Sequence, residues 1–444
     1  MSVFFYLLFI FVPLIWLPNT SELFEFNKLI LTYILTTFIV GTWAIRCIIE
    51  KKFIFKRTPL DWPILIFLIS QSLSLLFSID PHVSWYGYYS RWNGGLLSLI
   101  SYSLLYWAFV SNMDRKSAIF SIQCSIFSVI IVAIYASLEH FGASISCLLT
   151  TGSFNVTCWV QDVQNRVFAT LGQPNWLAAY ITALIFLPLS AAISNFKFLI
   201  SKQISKSQIL NLCTFILLFT TLLFTKSRSG LLAFGISWTV FWGLNIIRLG
   251  QLEIRSIRNF VAINLLLLLL TITIPNPVRD LVLKTKDQRP TASQGTALET
   301  GGTESGSIRK IVWTGALRIW QANPKNFLIG TGPETFAESY YQFRPIEHNQ
   351  TSEWELLYNK AHNEFLNYLA TTGLLGLLSY LLLLIIQFSV FIKKSPNIEY
   401  RTLNIALLAG WLTISITNFW GFSVVIMQLF LFLFPAIAIT LHDQ

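Results

Sequence analysis

The chain has 444 residues, of which 54% are hydrophobic and only 12% charged, and its mean hydropathy is +0.61. A soluble protein of this length has no core able to hide that much apolar side chain, so the solvent for most of it is lipid. The formal net charge of +10 is scattered between apolar runs rather than gathered on one face, which argues against a nucleic-acid partner and for membrane orientation.

Twelve apolar stretches follow one another, at 3–18, 27–49, 60–79, 95–111, 117–139, 176–195, 208–225, 230–247, 259–275, 373–392, 403–418 and 421–441. Several approach the roughly 20 residues that cross a bilayer core, and the shorter ones call on flanking aromatics or local thinning. The first has neither a basic leader nor a small-residue cleavage site, so we expect it to be retained as a helix. The expectation is an all-α polytopic membrane protein of about 12 transmembrane helices. Helices 1 to 9 fall in 1–275, one large loop in 276–372, and helices 10 to 12 in 373–444.

Orientation follows from Lys and Arg in the short loops. With the N-terminus cytoplasmic, sixteen of them face inward, at 46, 51, 52, 56, 57, 115, 116, 197, 202, 206, 248, 255, 258, 393, 394 and 401, against five outward: Lys28, Arg91, Arg166, Lys226 and Arg228. Both termini are then cytoplasmic and the large loop, which precedes helix 10, is extracytoplasmic. The outward arginines stand in short polar motifs: Arg91 in YYSRWNGG, Arg166 in NRVFATLGQPNW and Arg228 in TKSRSG. Cys147 and Cys158 share an outer loop where an oxidising compartment permits a disulfide, though spacing alone does not decide it; Cys47, Cys124 and Cys213 read as packing residues.

The large loop divides in two. Residues 284–309 are rich in Thr, Ser and Gly and lack aromatics, which predicts flexible coil; 308–372 reads as helical and as the catalytic part. Ile311, Val312, Ala316, Ile319 and Trp320 recur at helical spacing, which predicts a short amphipathic helix near the outer membrane surface, ended by Asn323 and Pro324. GTGPETF then reads as a tight turn into a second helix.

His362 is the histidine in a patterned setting: His-Asn, nine residues, then G-x-x-G opening the tenth membrane helix. A neutral imidazole suits proton abstraction from a hydroxyl, and fixed guanidinium groups fork onto phosphate oxygens. RVFATLGQPNWLAAY, FTKSRSGLL, and the span from RIWQANPKNFLIGTGPETF to KAHNEFLNYLATTGLLG resemble, in order and spacing, the motifs of the O-antigen ligase and O-antigen polymerase superfamily. These are bacterial inner-membrane glycosyltransferases whose donor is an undecaprenyl-diphosphate-linked glycan. The resemblance covers about 85–390, and 284–309 matches nothing in it.

What the resemblance implies falls on particular residues. Arg228 and Arg318 would hold the lipid diphosphate, and His362 would be the base that activates the acceptor hydroxyl. Arg166, Asn175, Arg91 and Asn363 are candidates for substrate binding. No paired carboxylate motif appears in the outer loops, so we expect no metal and no cofactor. The partners expected are membrane lipid, the lipid-linked donor, and a glycan, lipid or protein acceptor. A protein O-oligosaccharyltransferase of the same superfamily stays open, as does a multi-helix solute transporter, although transporters place their ionisable groups near the bilayer midplane. Trp85, Trp92, Trp159 and Trp176 read as interfacial belt residues, Gly330, Gly332, Gly373 and Gly376 as turn and close-packing positions, and Glu334 and Glu364 as polar neighbours of the site.

Overall fold

The computed structural model describes residues 1–194, 206–249, 254–283, 305–393 and 398–442. Every regular element among them is a helix, and each of the twelve apolar stretches contains one. Eight are long and apolar enough to cross a bilayer: Glu25–Ile49, Arg115–His140, Pro174–Ile193, Lys206–Phe224, Arg228–Ile247, Glu364–Ile392, Tyr400–Phe419 and Val425–His442. Ser2–Leu14, Asp61–Leu76, Leu96–Asn112 and Phe260–Thr273 are shorter apolar helices.

Two helices form the axis of the bundle. Pro174–Ile193 and Val425–His442 are each 89% buried within the protein, against 33% for Arg228–Ile247, which leaves most of its apolar surface for lipid. Small residues let neighbours press close, as where a Cβ on Gly410 would collide with the carbonyl of Ala183. The first axial helix is broken into Pro174–Leu184 and Phe186–Ser194. Pro188 explains the break, because it lacks an N–H and its ring crowds the carbonyl four residues back, at Leu184.

The bundle has two unlike ends. At one, Arg46 pairs with Glu50 at 2.7 Å and bonds to Asn112 at 3.1 Å, all in exposed settings. At the other, distant loops interlock: Ile79 N–H donates to Thr331 O at 2.9 Å and Gly332 N–H to Thr371 O at 2.8 Å. Ser2–Leu14 finishes at this second end and Val425–His442 begins there, so both chain termini point to the first.

The large loop is more ordered than its composition suggests. The coil expected at 284–309 lies outside the described residues up to 304, and is overturned for 305–309, which open the helix Ser305–Gln321. Ile308, Val312, Ala316 and Ile319 form one buried stripe on that helix, packed against Phe336, Tyr340, Ala361 and Ala370. The amphipathic face is therefore filled by protein. Asn323 does end the run, and its Oδ1 accepts from Asn326 N–H at 2.8 Å to start Pro324–Ile329. Phe336–Phe343 follows, then a short turn of helix, Ile346–Gln350; residues 351–362 are irregular rather than helical. The open question at Cys147 and Cys158 is answered by a disulfide, with Cα atoms 5.4 Å apart.

Candidate functional site

The site is built around the turn between the last two helices, at 420–424. Two buried carboxylates hold it. Glu25, on the first turn of Glu25–Ile49, accepts from Val425 N–H at 2.7 Å, and Glu364 accepts from Ser423 N–H at 3.3 Å. Glu25 satisfies a donor on the first turn of Val425–His442 that has no partner within the helix, and Glu364 one in the turn just before it. The turn thereby seats Phe422, whose ring meets His362 edge-on at 5.4 Å, Arg91 at 4.9 Å and Trp176 at 6.0 Å.

The YYSRWNGG motif supplies the next wall. Trp92 and Gly94 take left-handed conformations, with φ of 57° and 94°, which fold the segment back on itself. Glycine is required at 94 because any Cβ there would strike the carboxyl of Glu334. Asn93 accepts from Tyr102 O–H at 2.8 Å and donates to Ser423 O at 3.5 Å. Glu334, at the tip of GTGPETF and only 5% exposed, pairs through one oxygen with the buried Lys360. Between these residues lies a small cleft, with room for about one water, lined by Glu25, Tyr88, Arg91, Asn93, Glu334, Asn359, Lys360, Phe422, Ser423 and Val424. Glu25 Oε1, Glu334 Oε2 and Arg91 Nη1 are buried there with no hydrogen-bond partner among the described residues. Burial lowers the Arg91 pKa, and the nearby carboxylates, Glu25 foremost, oppose that shift.

His362 sits behind Phe422. Its φ of 52° turns the chain sharply before the helix, and its ring packs against Tyr358 at 5.0 Å. Nδ1 lies 3.2 Å from the carbonyl of Lys360. A carbonyl only accepts, so Nδ1 carries the proton and Nε2 carries the lone pair. Burial lowers the pKa of His362 to about 4, and the charges of Arg309 and Arg91 push the same way. The ring is neutral at pH 7, in the tautomer a general base needs.

The spacing after His362 also has a physical cause. Asn363 Oδ1 caps the helix by accepting from Leu366 N–H at 3.0 Å, and the helix runs from Glu364 until Gly373, where φ of 66° and ψ of −167° break it before the membrane-spanning part. A Cβ at Gly373 would strike the backbone of Leu328 and Ile329, and one at Gly330 the backbone of Thr371 and Thr372. The x9 of the motif is thus a short helix whose far end is locked to the large loop.

The sequence-predicted residues fall into three places. Arg91 lines the cleft and shares Phe422 with His362, while Asn363 spends its side chain on the cap. Arg166, Asn175 and Arg228 meet in a second group: Arg166 Nε donates to Thr225 O at 3.4 Å, and Ser227 Oγ donates to Asn175 at 2.8 Å while accepting from Gly230 N–H at 3.2 Å. Arg228 follows as an exposed first residue of its helix. Trp176, next to Asn175, joins the two groups, with Arg91 5.0 Å from its ring. It is 8% exposed, an internal wall rather than a belt residue. Arg318 is exposed on Ser305–Gln321, and Arg228 and Arg318 both lie outside the cleft lining.

Sequence reasoning missed Glu25, Lys360 and Arg309. Arg309 is nine positions before Arg318, which at about 100° per residue turns it to the opposite side of the helix. It borders the buried stripe, and its charge lowers the pKa of His362. Lys28 is the reverse case. It is one of the five outward basic residues, yet it is fully buried and donates to Ile15 O at 3.1 Å and Thr170 O at 2.7 Å, so its role is to tie loops together.

A polytopic helical membrane protein with a polar, histidine-bearing centre at one set of helix mouths is the class that this fold and site define. Residues 213–381, which hold Arg228, Arg318 and His362, match the O-antigen ligase family model, which supports the superfamily its motifs resemble. No curated protein matches the chain.

Proposed function

We propose that the protein transfers a glycan from an undecaprenyl-diphosphate-linked donor to an acceptor hydroxyl on the extracytoplasmic face of the bacterial inner membrane, as an O-antigen ligase or a polysaccharide polymerase does. The acceptor oxygen attacks the anomeric carbon, its proton passes to His362 Nε2, and the bond to the diphosphate breaks with both electrons leaving on the lipid diphosphate. A well-placed base contributes roughly 10² to 10⁴ in rate, and each charge donor to the leaving group roughly 3 to 4 kcal/mol. Arg228 and Arg318 are assigned to the diphosphate, with Arg91 and Arg309 as positive charges that lower the pKa of the base. Arg166 and Asn175 belong to the group that carries Arg228.

The observation that carries this reading is the bond from His362 Nδ1 to Lys360 O, because it leaves Nε2 as the basic atom on a ring that shares Phe422 with Arg91. The position of the cleft favours transfer over transport, since Glu25, Ser423 and Val424 sit at helix ends rather than in mid-span. The test is deletion of the gene from its bacterium, with analysis of surface glycans. Loss of one glycan linkage, with accumulation of its lipid-linked precursor, is the expected result; an unchanged glycan profile overturns the proposal.

A further inference from the structure

We propose that Tyr358, pinned through its hydroxyl by the Glu353 carboxylate, is the positioning residue that fixes the ring of His362 so that Nε2 meets the acceptor hydroxyl. The consequence for transfer rests on the reading of His362 as the base; the geometry rests on the ring contacts alone.

The hydrogen bond of His362 does not set its ring by itself. At 3.2 Å the bond from Nδ1 to Lys360 O is at the long limit of N–H···O geometry, and the torsion that turns an imidazole about its Cβ–Cγ bond is broad rather than staggered. The backbone adds a second demand. A φ of 52° is sparsely populated for a residue with a Cβ, and it persists only where the surroundings over-determine it. Lys360 is held by its pair with Glu334, and Ala361 N–H donates to Asn367 Oδ1 at 3.2 Å. That brace acts on the chain before His362, so the tilt of the ring falls to what packs on it.

Two rings pack on it, from separate elements. Phe422 comes from the turn at 420–424 and meets it at 5.4 Å with planes 85° apart, while Tyr358 comes from the irregular segment and meets it at 5.0 Å with planes 66° apart. Phe422 is seated by the carboxylates that hold its turn. Tyr358 has no helix to seat it, and its hydroxyl takes over that task by donating to Glu353 Oε2. Glu353 is anchored in turn, since its N–H donates to Thr351 Oγ1 at 3.3 Å and the Thr351 hydroxyl donates to His348 O at 2.8 Å.

Titration agrees with this division of labour. Burial raises the Tyr358 pKa and the Glu353 carboxylate adds to the shift, so the hydroxyl keeps its proton, stays a donor and does not compete with His362 as a base. Arg309 lowers the pKa of both Tyr358 and His362, and Arg91 that of His362 as well.

The experiment compares Tyr358→Leu and Tyr358→Phe with wild type, in the full chain in nanodiscs, by transfer kinetics across pH and by NMR titration of His362 in histidine-labelled protein, its signal assigned by loss in His362→Gln. Tyr358→Leu frees the ring and admits water. Its kcat should fall about tenfold to a hundredfold with KM within about threefold, and both the acid limb and the His362 titration should rise from about 4 by about one unit or more. Lower stability alone reduces the amount of active protein and leaves the limb where it is. Tyr358→Phe keeps the ring and should restore most of kcat and the low titration. If Tyr358→Leu fails to fold, Glu353→Ala decides, since loss of the pin should shift kcat and titration the same way by a smaller amount. A wild-type kcat and titration in Tyr358→Leu or, failing that, in Glu353→Ala overturns the proposal, as does a folded Tyr358→Phe no better than Tyr358→Leu. A His362 titration that rises in Tyr358→Leu, in a protein that shows no transfer, would leave the positioning of the ring standing and remove the transferase reading instead.

Discussion

Two histidines in the large loop, the buried His348 and the half-buried His362, differ in how their ring nitrogens are used. His348 is fully buried, and both ring nitrogens are committed: Nε2 donates to Glu353 O at 3.0 Å and Nδ1 accepts from Tyr340 O–H at 2.8 Å. His362 commits Nδ1 alone, to Lys360 O at 3.2 Å. Burial lowers the pKa of both. The lesson is that a shifted pKa alone does not separate the two histidines; what separates them is the nitrogen that His362 leaves able to take a proton.

The harshest way to break the comparison is to remove the pair that fixes Lys360, whose carbonyl orients His362. Glu334→Ala or Lys360→Ala leaves a buried charge uncompensated and should cost about 3–5 kcal/mol, read as a large fall in the thermal midpoint in detergent. The double variant Glu334→Gln with Lys360→Met should recover much of that loss. An unchanged midpoint in the single variants would mean the pair carries no structural weight.

Replacing His348 with Ala strands Tyr340 O–H inside the loop cluster, and we expect about 1–3 kcal/mol of lost stability with the chemical step unaltered in the protein that remains folded. Thermal unfolding alongside transfer assays separates the two effects. A kcat that collapses while the midpoint holds would reverse the roles assigned to the histidines.

Acid sharpens the comparison further. A base whose pKa is lowered to about 4 is active above that pH, so kcat/KM should hold through pH 6 and fall only as pH drops through about 4. For stability the sign is the same. Between the unfolded pKa near 6.5 and the folded value near 4, the unfolded chain binds the extra proton, so stability declines as pH falls, by up to about 1.4 kcal/mol per unit. An acid limb centred near 6.5 would place His362 in open solvent rather than behind Phe422.

Much of the architecture was legible in the sequence because its cause is local. The twelve apolar runs are long in themselves, Asn323 and Asn363 cap the helices that follow them, and Gly373 marks a break where a Cβ would meet Leu328. The cleft was not legible, because its cause is long-range. Glu25 acts on Val425, 400 positions away, and nothing in EFNKLIL distinguishes that carboxyl from one facing water. One signal was available: in a chain with only 12% charged residues, a glutamate on the first turn of an apolar helix, as Glu25 and Glu364 both are, is an expensive choice with a purpose. Arg309 and Arg318 show the same limit on a smaller scale. The motif singled out Arg318 by its setting, while it is Arg309, on the other side of the helix, whose charge reaches His362.

The central claim is that His362 Nε2 takes the proton of the acceptor hydroxyl, and it is tested most directly by single-turnover transfer from a purified lipid-diphosphate-linked donor, comparing wild type with His362→Ala. The account predicts a rate lowered by roughly 10² to 10⁴ with donor binding and thermal midpoint nearly unchanged, because a base acts in the transition state rather than in the bound ground state. Transfer by His362→Ala within a few-fold of wild type would contradict it.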